Sequence, residues 1–222
     1  MTLIRPKSLC DLALEHLRQQ IIDGTLKMGQ MLSERGISDE LGVSKSPVRE
    51  ALAQLREEGL VLIEPQKGAR VFSLTEEAVA QLCDFRLALE GSAFDLALAR
   101  SAEALANEMD LNVSDMERAQ KAGDISRYLA LDTEFHQLIF KHCGNDYLTA
   151  SYDRFVGKVA ALRTHLSKLP GHTAMSFDEH RALAQAVRAG DGTQIKALLK
   201  EHIGRTRQTY AQSLHLLQGA DG

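Results

Sequence analysis

From Thr75 to the C-terminus the sequence nowhere alternates apolar and polar residues over the length of a strand. Apolar residues recur there every three or four positions, the period of an amphipathic helix. Breaks fall at Ser101, Gly123, Gly144, the Pro170–Gly171 turn and Gly190. Asp124, Asn145 and Asp191 follow three of these breaks as N-cap candidates. The spacing predicts six helices, over about 75–100, 102–122, 124–143, 145–168, 174–189 and 191–217. Helices of this length joined by short turns pack as an antiparallel bundle.

The first 73 residues read differently. Leu9, Leu12, Ala13, Leu17 and Ile21 predict a helix over 8–23 that ends at Gly24. Residues 26–32, with Gly29 among them, suit a short connection or strand. Ser33 can cap a second helix to about Leu41, and a turn at Gly42–Val43 leads into a third from Ser44 to about Glu58. Val48, Ala51, Leu52 and Leu55 form its apolar stripe, with Pro47 in the tolerant first turn. Two short strands follow, roughly Val61–Glu64 and Ala69–Ser73, around a turn of Pro65, Gln66, Lys67 and Gly68. Helix, helix, turn, helix and hairpin is the order of a winged helix-turn-helix. The expected fold is therefore mostly α, with a winged helix-turn-helix over 1–73 and a six-helix antiparallel bundle over 74–222.

The chain carries a net charge of −4, which argues against a generally basic nucleic-acid binder. Residues 1–72 hold ten cations and ten anions, so the acidic excess belongs to the remainder. A DNA face has to come from local placement of charge. The third helix offers it. Ser44 and Ser46 are small hydroxyls that allow close approach to phosphate or bases. Arg49 can bond guanine in a bidentate way, and Lys67 can reach out from the wing tip. Cys10, Cys83 and Cys143 are odd in number and widely spaced, and read as reduced thiols of a cytoplasmic protein. No apolar run approaches the roughly 20 residues that cross a bilayer. The opening MTLIRPKSLCDLALEH meets charge too early for a signal peptide.

Polar residues interrupt the apolar stripes of three bundle helices. In LALDTEFHQLIF, Asp132 and His136 share a face with Leu129, Ile139 and Phe140. His180 lies on the stripe of Phe177, Leu183, Ala184 and Val187, and His202 continues that of Ile195, Leu198 and Leu199. An inward polar group left without a partner costs about 1–3 kcal/mol. Each histidine could be satisfied singly in the core. A shared divalent ion satisfies all four groups together, and three imidazoles with one carboxylate suit zinc, nickel, manganese or iron. His16, His142, His165, His172 and His215 share no such stripe and read as surface or structural. Arg86 shares a face with Leu82, Leu89 and Ala93. It could clamp an organic carboxylate, or pair with Glu90 one turn away. Arg163 offers the same possibility on the fourth helix.

The run LSERGISDELGVSKSPVREALAQLREEGLVLIEPQKGARV resembles the DNA-binding domain of the GntR family. Its SER opening, GVSxSPVREAL core, LxxEGL exit and KGxxV wing occur in order. The resemblance implies DNA contact by Arg35, Ser44, Lys45, Ser46, Arg49, Lys67 and Gly68. Lys45 stands where arginine is common, and Gly36 sits inside the second helix. The second half, in RLALEGSAFDLAL, LDTEFHQLI, DEHRALAQAVRAGD and the later HI, resembles the ligand-binding domain of the FadR subfamily in its six-helix, VanR-like FCD form. Metal-binding members of that group use one aspartate and three histidines, which here are Asp132, His136, His180 and His202.

The expectation is a ligand-responsive transcription regulator, a repressor more than an activator. As a homodimer it would read an inverted repeat of operator DNA. Its helical domain would hold a divalent metal, zinc foremost, and a small carboxylate metabolite contacted by Arg86 and Arg163. A direct metal-ion sensor is the alternative, and a metal-dependent hydrolase a remote one. Open positions on such a metal can activate water, yet no general base accompanies the ligands and HExxH is absent, so no enzyme is expected.

Overall fold

The computed structural model describes the backbone of residues 7–64 and 66–218, with side chains for those residues through Ser213. The chain divides into two compact units, one within residues 1–73 together with 157–161, the other within 74–156 and 162–222.

In the first unit, Ser8 and Asp11 form a reciprocal capping box that starts α1 (Leu9–Ile22), satisfying two of the orphan donors of a helix N-terminus. Its buried face is Ala13, Leu14, Leu17 and Ile21. β1 (Met31–Leu32) follows, so the ambiguous connection is a strand. Ser33 accepts the Gly36 N–H and opens α2 (Glu34–Leu41). Gly42 closes that helix in the left-handed conformation, at φ 65°, which favours glycine. α3 (Lys45–Glu57) buries Val48, Ala51, Leu52 and Leu55, the stripe read from spacing. β2 (Val61–Glu64) and β3 (Gly68–Val71) complete an antiparallel sheet of order β1-β3-β2. Met31 faces Arg70 across one ladder, and Val61 faces Val71 across the other. Gln66 in the hairpin turn is left-handed, at φ 64°. Of the four residues assigned to that turn, Gly68 begins β3 and Pro65 lies outside the described residues.

Gly36 stands exposed in the first turn of α2. A Cβ there would meet Ser33 at 3.5 Å, an ordinary contact. Gly36→Ala is therefore expected to stabilise the first unit by up to about 1 kcal/mol through backbone entropy. The denaturation midpoint checks this, and a lowered midpoint would contradict it.

In the second unit, Thr75 caps α4 (Glu76–Lys121), which runs through the expected break at Ser101 with a kink (φ −149°, ψ 33°). The kink separates two helical segments at the residue where the spacing placed the break. α5 (Ile125–Cys143) begins at Asp124, whose side chain accepts the Arg127 N–H, and ends at left-handed Gly144. The predicted helix over 145–168 is instead two, α6 (Asp146–Asp153) in this unit and α7 (Val156–Leu166), whose residues 157–161 fall in the first unit. Phe155 leaves the helical path between them and packs edge-on against Phe85, with centroids 4.9 Å apart. α8 (His172–Ala189) and α9 (Gly192–Gln218) finish the unit. α4 packs against α5, α8 and α9, with Met116, Ala119, Tyr128, Leu131 and Phe177 in one core cluster. α5 is buried along Leu131, Phe135, Leu138 and Ile139, and the same face carries Asp132 and His136 inward.

A candidate DNA face and a candidate metal centre

The first unit presents its cationic residues outward. Ser44, Lys45, Ser46 and Arg49 are exposed at the start of α3, while Val48 between them is fully buried. Helical periodicity separates the two roles: position 48 points to the core and its neighbours to solvent. Ser44 is the N-cap of α3 but makes no capping hydrogen bond with its side chain. Arg49 is 64% exposed and its Nε lies 2.7 Å from Glu34 Oε2. Arg35 lies 3.7 Å from Asp39, and Lys67 lies 3.2 Å from Glu64. Lys67 and Gly68 are exposed at the hairpin tip. Exposed pairs of this kind are worth about 0–1 kcal/mol, so phosphates can replace the carboxylates at small cost.

In the second unit, Asp132 and His136 of α5, His180 of α8 and His202 of α9 converge in the interior. The three Nε2 atoms cluster, with His136 3.2 Å from His180 and 3.3 Å from His202. Asp132 Oδ1 lies 3.9 Å from the Nε2 atoms of His136 and His180. All four residues are buried, His136 and His180 completely. Burial, with the Arg163 and Arg86 guanidiniums, pushes His136 far below its ordinary pKa. Burial pushes His180 down to about 3. Burial alone would raise the Asp132 carboxyl, but Arg163 and the histidines hold it well below the usual range. Neutral imidazoles and an ionised carboxylate are the protonation states that ligate metals.

The donor set fits a cation. His136 Nδ1 donates to Glu90 Oε2 at 2.7 Å, and His202 Nδ1 donates to Glu179 Oε2 at 2.6 Å. With an Nδ1 proton given to each glutamate, the two Nε2 atoms face each other with lone pairs 3.3 Å apart, and Arg86 Nη2 lies 3.5 Å from that of His136. Two bare lone pairs at that distance repel. A divalent ion between them converts the repulsion into coordination. A tetrahedral shell with bonds of about 2.0–2.1 Å has ligand–ligand edges of about 3.3–3.4 Å, close to the 3.2 and 3.3 Å between the histidines and shorter than the 3.9 Å to Asp132 Oδ1. Asp132 Oδ1 lies 2.7 Å from Arg163 Nε, yet off the N–H axis, so this oxygen accepts no hydrogen bond among the described residues. Its other oxygen accepts from Ser176 Oγ at 3.4 Å.

A small cleft beside this cluster is lined in part by Tyr128, Asp132, Arg163, His172, Ser176 and His202. Arg163 is 6% exposed and its Nη2 has no hydrogen-bond partner among the described residues. Arg86 does not line the cleft. It is 1% exposed and its Nε pairs with Glu90 Oε1 at 2.7 Å, which is the ion-pair alternative open at that position. Spacing passed over Glu179, Arg205 and His172. His172 is buried at the cleft, within 3.0 Å of Arg205. Periodicity does not reveal Glu90 and Glu179 as supports of His136 and His202, because those histidines lie on other helices. The side chain of His215 lies outside the described residues.

Residues 81–205 match the FCD domain, and residues 11–71 match the bacterial regulatory proteins of the gntR family. The chain is 29% identical to the gluconate operon transcriptional repressor of Bacillus subtilis (strain 168), covering 79% of this chain and 74% of the relative. It is 29% identical to a probable D-xylose utilization operon transcriptional repressor of Paenarthrobacter nicotinovorans, covering 83% and 80%. Among solved structures it resembles Escherichia coli McbR/YncC, with a TM-score of 0.79 at 21% identity over 94% of this chain and 100% of that one. A regulator described as GntR from Rhodococcus sp. RHA1 gives the same TM-score and identity over 92% and 99%. At that identity the two structures speak for the fold alone.

Proposed function

The chain belongs to the gntR family of bacterial regulatory proteins and carries an FCD domain, and from that premise we propose a repressor whose helical unit holds a divalent metal and answers to a small organic acid. That it is a DNA-binding transcription regulator, and not an enzyme, follows from the family and from its relatives. No described helix is long and apolar enough to cross a membrane. A regulator of this kind would meet its operator in the cytoplasm, as a homodimer on an inverted repeat.

The single observation that carries the metal reading is the cluster of three Nε2 atoms whose Nδ1 partners are, in two rings, tied to carboxylates. His136, His180, His202 and Asp132 would hold the ion, zinc foremost. The ion would supply a Lewis-acidic anchor for an acid's carboxylate, and Arg163 Nη2 a second one beside the cleft. The name of the B. subtilis relative ties that protein to a gluconate operon, and gluconate is a small organic acid. Arg35, Ser44, Lys45, Ser46, Arg49, Lys67 and Gly68 would contact the operator, the first half of α3 reading bases and the wing reaching the backbone.

Thermal-shift screening against small carboxylates, with zinc and with chelator, tests this reading. One acid should raise the melting temperature of the zinc-loaded protein and leave the chelated protein unmoved. A zinc shift with no acid response would favour a direct metal sensor. An acid that stabilises both forms equally would remove the metal from the effector site.

A further inference from the structure

Behind two of the three clustered histidines stands the same arrangement, an arginine holding a glutamate that in turn holds the ring. On α4, Arg86 Nε donates to Glu90 Oε1 at 2.7 Å, and Glu90 Oε2 accepts from His136 Nδ1 at 2.7 Å. Across α8 and α9, Arg205 Nε and Nη2 grip Glu179 at 2.5 and 2.6 Å, and Glu179 Oε2 accepts from His202 Nδ1 at 2.6 Å. His180 has no such support: its Nδ1 is buried without a hydrogen-bond partner among the described residues. We infer that Arg86–Glu90 and Arg205–Glu179 are positioning relays that fix His136 and His202 as Nε2 ligands and leave His180 as the untethered one. This rests on the metal reading above.

The physical reason is tautomer choice. A neutral imidazole carries one proton, and the hydrogen bond at one nitrogen decides which nitrogen keeps a lone pair. A carboxylate at Nδ1 selects the bare Nε2 and sharpens its basicity. A glutamate buried that deeply would not stay ionised alone, and the arginine supplies the compensating charge. The two relays differ in access. Arg86 and Glu90 are sealed, at 1% and 0% exposure, whereas Arg205 and Glu179 keep 15% and 18%. Arg205 Nη1 also reaches His172 Nδ1 at 3.0 Å, and His172 lines the cleft. The His136 arm is closed off from solvent, and the His202 arm borders the cleft through His172. Arg86 thereby acts through His136 and does not touch the effector.

The test uses the full chain stripped of metal, and Glu179, whose partial exposure lets Arg205 turn to water when it is replaced. Long-range proton–nitrogen NMR of the imidazoles reads each ring's tautomer without any ion. Wild-type His136 and His202 should both show a protonated Nδ1 and a bare Nε2. In Glu179→Leu, His202 should lose that signature and His136 should keep it, while zinc affinity by chelator competition falls about 10–100-fold. Glu179→Gln retains a carbonyl acceptor and should rescue the tautomer. Zinc binding that is indifferent to Glu179→Leu, with His202 still locked, overturns the relay. Failure of the wild type to bind zinc overturns the metal centre instead.

Discussion

His180→Ala should abolish the stabilisation that zinc confers on the helical unit. Free zinc at about a hundred times its dissociation constant adds about 2.7 kcal/mol to the folded state. For a chain of this size each kcal/mol moves the melting temperature by about 2–4 °C, so the wild type should shift by about 5–11 °C. In the variant the shift should fall to nearly nothing, because His180 Nε2 lies 3.2 Å from that of His136 and its loss opens the shell. The metal-free variant should suffer less than a usual core truncation. The ring leaves a cavity, yet it also takes away a buried Nδ1 that no described residue satisfies. Differential scanning calorimetry with zinc and with chelator measures both quantities. A full zinc shift in His180→Ala would place the ion elsewhere.

The second large effect belongs to the other unit. Arg49→Ala should weaken operator binding about 5–150-fold per half-site, the worth of one bidentate base contact. The fold should be untouched, because Arg49 is exposed and its pair with Glu34 contributes little to stability. Lys67→Ala should weaken binding more evenly across sequences and lower the salt slope by about 1. Fluorescence anisotropy on operator fragments selected from a random pool distinguishes the two. Unchanged affinity in Arg49→Ala, with wild-type melting, would remove α3 from the DNA face.

Much of this was legible before any coordinates, and the reason is locality. Val48, Ala51, Leu52 and Leu55 repeat with the helical period, and their burial follows from it. Asp132 and His136 are one turn apart on a helix whose other inward residues are apolar, so convergence with His180 and His202 could be read as a pattern. Where local signals compete with packing, the reading slips. Phe155 breaks a well-formed helical period to reach Phe85. Glu90 and Glu179 were out of reach altogether as supports of the histidines. A glutamate beside a helix stripe reads as solvated, and only the folded bundle sets it against a ring 46 or 23 residues away.

One measurement bears on the whole scheme at once: the affinity of the purified protein for its selected operator in three states, stripped, zinc-loaded, and zinc-loaded with the acid found by thermal shift. Operator release is expected only in the third state, and His202→Ala should hold the protein on DNA whether or not the acid is present. Release by the acid from stripped protein, or from His202→Ala, would show that the four inward side chains do not govern the reading head.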